Sequence, residues 1–467
     1  MDDRVTTKGV AGTVSLLAEL EAELPPGTLV TDPDVVASYR ADRADLVPAG
    51  QPLAVARVTA TEQVSVAMRW AQRHGVTVVP RGAGTGLSGG ANAVDGCLVV
   101  SLERMTAIRE IDTANHLAVV EAGVINADLG RAAAEHGLFY PPDPGSFEIS
   151  TIGGNLATNA GGMRCVKYGV TRDSTLGLEV VLADGRVLAT GSRAVKNVAG
   201  LDLTRLFVGS EGTLGIITAA TLRLRPAPPV PPATFVATFP TAPAAGAAVS
   251  AIIAAGAVPS MLELMEHEAI NAIEDYRRMD LDRDAAALLI GQADGYDAAQ
   301  QVDAMIRCCA DAGADLVVHT VDPAEADGLL QARRLAGLAL TEQGPSVIED
   351  VGVPRSRLAE MLAALAEIAE STGVRIATVG HAGDGNLHPT LILPDLRPET
   401  REHALKTAEA VCRTALALGG TVTGEHGVGI LKRGWLADQL DDTALDVHHA
   451  IKAALDPHHL LNPNRGW

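Results

Sequence analysis

Two histidines, His381 and His388, stand on either side of Gly383-Asp384-Gly385-Asn386 in "VGHAGDGNLHPT". An offset of seven residues is two helical turns, yet two glycines, an aspartate and an asparagine disfavour a helix there. A straight strand fails too, because an odd offset sends the side chains to opposite faces. Two strands folded back over the glycine-rich turn would bring both rings to one place. "TVTGEHGVG" adds Glu425 and His426, Glu425 lying 37 residues after His388. Two imidazoles and a carboxylate suit zinc, manganese or iron and leave coordination positions for a substrate. The plainer alternative is that these are loop residues, since a histidine beside a glycine turn is more often that than a ligand.

What must hold such a centre is a chain of 467 residues, too long for one core and expected to form two or more domains. Hydrophobic content of 47% with 20% charged residues describes a globular protein rather than a disordered one. Aromatics are only 3%, so alanine and branched aliphatics must fill the cores. A net charge of −20 argues against nucleic acid as a partner. An anionic substrate would therefore need local positive charge, from a metal or a specific arginine. The cysteines are Cys97, Cys165, Cys308, Cys309 and Cys412; their odd number and the lack of C-x-x-C argue against a disulfide framework and a thiolate zinc site. The N-terminus lacks a signal-peptide pattern, and no apolar run approaches the roughly eighteen residues of a bilayer span. The expectation is a cytoplasmic protein without a transmembrane segment, free to dock on a membrane partner; a homodimer is allowed.

The pattern predicts a helix over 13–24, stopped by Pro25-Pro26-Gly27, then the strand "LAVARV" and a helix over 61–75 with Val64, Ala67, Met68 and Ala71 on one face. The strands "VTVVP", "GCLVVSL" and "LAVVEAG" follow, then a helix over 126–137 and a hairpin turning at Asp184-Gly185. Residues 225–233, "RPAPPVPPA", hold five prolines in nine and read as a stiff connector between domains. Beyond it come strand "TFVATF", helix 242–256, strands "SMLELME" and "AALLIGQ", helix 296–312 and strand "ADLVVHTV". That series suggests a separate α+β sheet with helices on one face.

Gly84-Thr85-Gly86-Leu87-Ser88-Gly89 satisfies G-x-G-x-x-G after a predicted strand. The dinucleotide fingerprint requires a helix to open at that loop, and here another strand follows, so the nicotinamide reading fails on context. The glycines still remove β-carbons from a stretch whose N–H groups can converge on phosphate oxygens. Two more small-residue segments, "STIGGNLATNAGG" and "GSEGTLGIIT", come before residue 220. Together they suggest a large, elongated phosphate-bearing ligand threaded between sheets.

The motifs "VVPRGAGTGLSGGA", "DPGSFEISTIGGNLATNAGG", "KYGVTRD", "VKNVAGLDLTRLFVGSEGTLGIIT", "GHAGDGNLHP", "GEHGVG" and "LDPHHLLNP" occur in an order that resembles the FAD-linked oxidases of the vanillyl-alcohol oxidase type. Within that family the chain is most similar to glycolate oxidase FAD subunits and flavin D-lactate dehydrogenases. The resemblance implies an α+β protein: a two-part FAD-binding domain over 1–225, a substrate cap with an antiparallel sheet over 226–419, and a segment over 420–467 that returns to the flavin.

It also implies that the pyrophosphate is held by Pro80, Arg81, Gly82, Ala83, Gly84, Thr85, Gly86, Leu87, Gly90 and Ala91. Pro142, Asp143, Pro144, Gly145 and Ser146, with Thr151, Gly153, Gly154, Asn155, Ala157, Thr158, Asn159 and Gly161, would line the ribityl chain and flavin ring. Glu211, Gly212, Gly215, Ile216, Ile217 and Asn462 would complete the cradle. Thr85 stands where some branches attach FAD through a histidine, so FAD is expected to be non-covalent. The tail "NPNRGW" replaces the usual "NPGK"; asparagine tolerates a left-handed backbone nearly as glycine does.

For the chemistry, the resemblance implies His381, His388 and Glu425 as ligands of a divalent metal, His426 as general base, and Arg333 as the clamp on a substrate carboxylate, with Arg334 its neighbour. Tyr168 and Arg172 would lie near the flavin without a further role. The expected reaction is oxidation of a D-2-hydroxy acid, the hydroxyl proton going to a base and the Cα hydride to flavin N5. Relatives acting on hydroxyglutarate carry a lysine and an asparagine where Ile348 and Thr390 stand, so D-lactate or glycolate is favoured; a longer aliphatic 2-hydroxy acid remains open. The alternatives are a D-2-hydroxyglutarate dehydrogenase, a flavin subunit that needs partner chains, and a non-redox flavin transferase like the alkyl-glycerone-phosphate synthases. The electron acceptor, whether quinone, cytochrome, electron-transfer flavoprotein or partner subunit, is left open.

Overall fold

In the computed structural model, which describes residues 16–467, the first helix runs over 16–23 before Pro25-Pro26-Gly27 ends it. Positions 13–15 of the expected helix lie outside the described residues. The helix Thr61–His74 buries Val64, Ala67, Met68 and Ala71 completely, the face that its spacing predicts. It stops at Gly75, whose φ of 66° is the left-handed cap that glycine takes without a β-carbon clash. The predicted helix over 126–137 is shorter, Asn126–Ala134.

Three larger sheets organise the described residues, beside a two-stranded pairing of Leu138–Phe139 with Arg225–Pro226. The first has the order Leu29–Val30, Ala54–Arg57, Leu98–Ser101, Val78–Arg81, with Leu98–Ser101 parallel to both of its neighbours. The second is antiparallel and runs Ile108–Asp112, Leu117–Glu121, Ile216–Arg223, Thr175–Val181, Val187–Gly191. Its last two strands are the predicted hairpin, turning through Gly185 at a φ of 80°. After the exposed proline connector comes the third sheet, antiparallel and eight-stranded, in the order Leu316–Thr320, Ala233–Phe239, Ala287–Ala293, Met261–Glu266, Arg375–His381, Asn386–Ile392, Ser346–Ile348. Its eighth strand, Val351–Gly352, also pairs with Asn386–Ile392.

Helices cover both faces of this large sheet, not one as the alternation suggested. Ala242–Ala254, Ala298–Asp311, Leu358–Thr372 and Pro398–Ala417 pack with Phe235, Phe239, Leu262 and Leu264. His267–Tyr276 and Pro323–Thr341 pack on the opposite face with Val236, Met265 and Val379. The physical reason lies in the strands: all seven residues of Ala233–Phe239 are buried, so neither row of side chains is left for water.

The C-terminal segment comes back to the first sheet. Leu461 forms a parallel bridge to Val78, and the Asn462 amide donates to the Val78 carbonyl at 2.8 Å. Asn462 and Asn464 adopt φ of 40° and 64°, the left-handed backbone that asparagine tolerates.

Candidate active site

Val78–Arg81 leads into a loop that reaches the strand Leu98–Ser101 without a helix, which removes the dinucleotide-fingerprint reading on geometry. The loop is packed tightly: a β-carbon at Gly82 would collide with Thr151 Oγ1, and one at Gly429 with the Ser88 carbonyl. Thr151 caps the helix Ile152–Thr158 by accepting from the Gly154 amide at 3.2 Å.

These segments wall a cavity of about 1130 Å³ between the glycine loops and the large sheet. That exceeds the range of about 300–1,000 Å³ usual for small-ligand sites and suits an extended cofactor together with a substrate. Pro80 through Leu87, Gly90, Ala91, Asp143 through Ser146, Thr151, Gly153, Gly154, Asn155, Ala157, Thr158, Glu211, Gly212, Gly215, Ile216, Ile217 and Asn462 all line it. Pro142, Asn159 and Gly161 stand behind the wall. The Pro142 carbonyl accepts from Asn126 Nδ2, and Asn159 ends its helix at a φ of 54° while its Oδ1 accepts from the Arg172 amide. Gly161 abuts Glu425, where a β-carbon would come within 2.6 Å of Oε2. Tyr168 is also off the cavity, its hydroxyl donating to Asp294 Oδ2 at 2.6 Å.

At the other end of the cavity the hairpin expected from the histidine spacing is present, Arg375–His381 paired with Asn386–Ile392. His388 lies opposite Val379 and His381 opposite Asn386, so the two imidazoles are diagonal neighbours on one face, with ring centroids 5.1 Å apart. Glu425 Oε1 is 3.3 Å from His381 Nε2 and 3.2 Å from His388 Nε2. The three ligand atoms lie within 4.8 Å of one another, and all three residues are buried. Glu425 Oε2 has no hydrogen-bond partner among the described residues. A buried carboxylate oxygen without a donor, beside two converging imidazoles, fits a divalent cation. His426 stacks on His388 with centroids 4.9 Å apart, and its Nε2 is 3.9 Å from Glu425 Oε1.

The electrostatics divide these groups. Burial opposes charge on His381, but the Glu263 and Glu425 carboxylates outweigh it and hold its pKa well above the usual value. Burial likewise opposes ionisation of Glu425, and His381 and His388 outweigh that to hold it well below the carboxylate range. For His426 burial wins, pushing it down to about 4 against the pull of Asp350.

Sequence spacing gives no sign of Asp350, yet this residue shapes the loop bearing Glu425 and His426. Its Oδ2 accepts from Thr423 Oγ1 at 2.7 Å and from the amides of Gly424, Glu425 and His426 at 2.8, 2.9 and 2.9 Å. Below it Lys432 is fully buried, donating to the Asp350 and Val422 carbonyls and pairing with Glu349 at 3.1 Å. Arg333 opens onto the cavity with its Nε 2.8 Å from Glu263 Oε2, whereas Arg334 pairs with Asp327 at 3.3 Å. Asp327, Gln331, Arg334, Leu338 and Thr341 form one lining stripe of the helix Pro323–Thr341, a 4-3-4-3 spacing that a sequence reading could have found. Ile348 and Thr390 pair across their strands, and both line the cavity.

Residues 52–191 match the family model described as "FAD binding domain", and residues 229–465 match "FAD linked oxidases, C-terminal domain". The chain is 42% identical over 417 residues to glycolate oxidase subunit GlcD of Bacillus subtilis, covering 89% of this chain and 88% of that one. It is 36% identical over 418 residues to a D-lactate dehydrogenase of Archaeoglobus fulgidus, covering 89% and 92%. The structure of p-cresol methylhydroxylase superposes with a TM-score of 0.81 at 19% identity, covering 97% of this chain and 96% of that one, a likeness of fold. The glycine-walled cavity and the match over both halves lead to one assignment: the chain belongs to the FAD-linked oxidases, an FAD-binding oxidoreductase with the two-domain fold seen in p-cresol methylhydroxylase.

Proposed function

We propose that the protein oxidises a short D-2-hydroxy acid, D-lactate or glycolate, to the 2-oxo acid with non-covalent FAD and a divalent metal, zinc, manganese or iron. The observation that carries this reading is the convergence of His381, His388 and Glu425, with His426 and Arg333, on the same cavity that the glycine loops line. When bound, FAD would accept the Cα hydride and the metal ion would acidify the substrate hydroxyl. His381 and His388, through their Nε2 atoms, and Glu425 would hold the ion. His426 is neutral near pH 7, so it can take the hydroxyl proton. Its Nδ1 is buried, which leaves Nε2 as the nitrogen for that work. The Arg333 guanidinium would grip the substrate carboxylate bidentately.

Ile348, Val379 and Thr390 line the cavity without charge to pair a second carboxylate, and the lining Arg334 is already paired with Asp327, which favours a monocarboxylate over hydroxyglutarate. The division into 1–225, 226–419 and 420–467 fits this scheme, since the third part carries Glu425, His426 and Asn462 back onto the first. A second reading, that the chain works as one subunit of an assembly, is favoured by the relatives named glycolate oxidase subunit GlcD in Bacillus subtilis and Escherichia coli. It predicts that the isolated chain is inactive with an artificial electron acceptor.

The test is anaerobic mixing of the flavin-loaded protein with D-lactate, glycolate, L-lactate and D-2-hydroxyglutarate. D-lactate or glycolate should bleach the flavin band, and L-lactate far more slowly. Bleaching by none of the four ends the hydroxy-acid assignment.

A further inference from the structure

Glu263 sits in the middle of Met261–Glu266, a strand with neighbours on both sides, and is completely buried. Along this strand Leu262 and Leu264 join the core on one face, while Met261 and Met265 join the core on the other. Alternation puts Glu263 on the second face, which it shares with Val379 and with the helix that carries Arg333. A carboxylate is costly in such a place unless it is paired. Both of its oxygens lie 2.9 Å from His381 Nδ1, and Oε2 is also 2.8 Å from Arg333 Nε. Its pairing thus runs to two residues, one from the metal-ligand set and one from the substrate clamp.

From this juxtaposition we propose that Glu263 is a positioning residue that orients the metal-binding face of His381 and the carboxylate-binding face of Arg333 at once. The inference rests on the proposed hydroxy-acid reading and deepens it. By accepting Nδ1–H, the carboxylate fixes the imidazole tautomer that leaves the Nε2 lone pair toward Glu425 and His388. Its contact with Arg333 is an ion pair at Nε without hydrogen-bond alignment, and it leaves both terminal amino groups to fork onto a substrate carboxylate. The guanidinium and the ligand field are then registered by one anion, so the spacing between the two grips on the substrate is set within the protein.

The experiment uses full-length, FAD-loaded protein, stripped with chelator and titrated with zinc(II), and separately with manganese(II), against a competing chelator. Glu263→Gln should keep its FAD while metal affinity falls about 10- to 100-fold, the usual effect of removing an outer-shell partner. Its KM for the hydroxy acid should rise at least about tenfold, the lower end of that range, and Glu263→Asp should recover part of both. Arg333→Ala should raise KM and leave metal affinity unchanged. Wild-type metal affinity in Glu263→Gln overturns the proposal, as does a normal KM beside weakened metal binding. Loss of FAD in both Glu263 variants would make the residue a core packing element and also overturn it. A wild-type protein that takes up neither metal, or that none of the acids reduces, fails the functional reading itself, an outcome distinct from those of the variants.

Discussion

His381 and His426 lie within one cluster yet are tuned in opposite directions. His381 has Glu263 and Glu425 against its two nitrogens and is held ready for positive charge. Under the proposed reading, a cation bound at Nε2 would supply that charge in place of the proton. His426 stacks on His388, and its buried Nδ1 meets no partner among the described residues, so it stays neutral. The two should therefore fail differently. His381→Ala or Glu425→Ala should keep FAD, lose metal and abolish turnover, read by flavin absorbance, metal analysis and steady-state rate; loss of FAD in both would assign them to the cofactor cradle. His426→Asn should keep both cofactors and lower kcat by about 100- to 10,000-fold, the usual worth of a general base, measured as the rate of flavin bleaching. The meeting of His381 and His388 was legible because a glycine turn between two histidines has few ways to fold, whereas their reading as ligands, with Glu425, came from the family resemblance. Glu263 and Asp350 were not, because each meets its partner from a strand or strand end distant in sequence, and local spacing carries no trace of such a contact.

Among the elements, the hairpin Arg375–His381/Asn386–Ile392 is rigid scaffolding for the imidazoles, while Glu425 and His426 ride on a loop held by Asp350 and flanked by Gly161. Gly161→Ala should displace Glu425, because the new β-carbon would lie 2.6 Å from Oε2. The expected result is weaker metal retention with FAD content unchanged, read by metal analysis after dialysis. A contact remote from the site should behave otherwise. A β-carbon at Gly246 would come within 2.7 Å of the Ala359 amide where Ala242–Ala254 crosses Leu358–Thr372. Gly246→Ala should cost about 1–3 kcal/mol in chemical denaturation, a usual overpacking effect, and leave KM unchanged. Strands and helices with clean periodicity were readable in advance, the Thr61–His74 face above all. The covering of both sheet faces was not, since strand–helix alternation says which elements occur and not the side on which each helix lands.

Over the whole molecule, a chain of net charge −20 must still admit an anion into a cavity whose lining also carries more acidic than basic side chains, so under the proposed reading the attraction falls to the bound metal and Arg333. Exhaustive chelation should abolish turnover while the protein stays yellow, and adding back zinc or manganese should restore it; undiminished catalysis without metal would refute the metal-assisted mechanism. No helix among the described residues is long and apolar enough to cross a membrane. The two halves meet through more than the proline connector. Glu211 accepts from the Val428 and Gly429 amides at 2.7 and 2.8 Å, and Asn462 Nδ2 donates to the Gly90 and Glu211 carbonyls at 2.9 and 2.6 Å. The last forty residues therefore work as a strap across the seam, buckled onto the glycine loops. A protease site inserted into the exposed stretch 226–229 and then cut should leave two fragments that still co-elute with their flavin, because severing the tether does not undo the buckle.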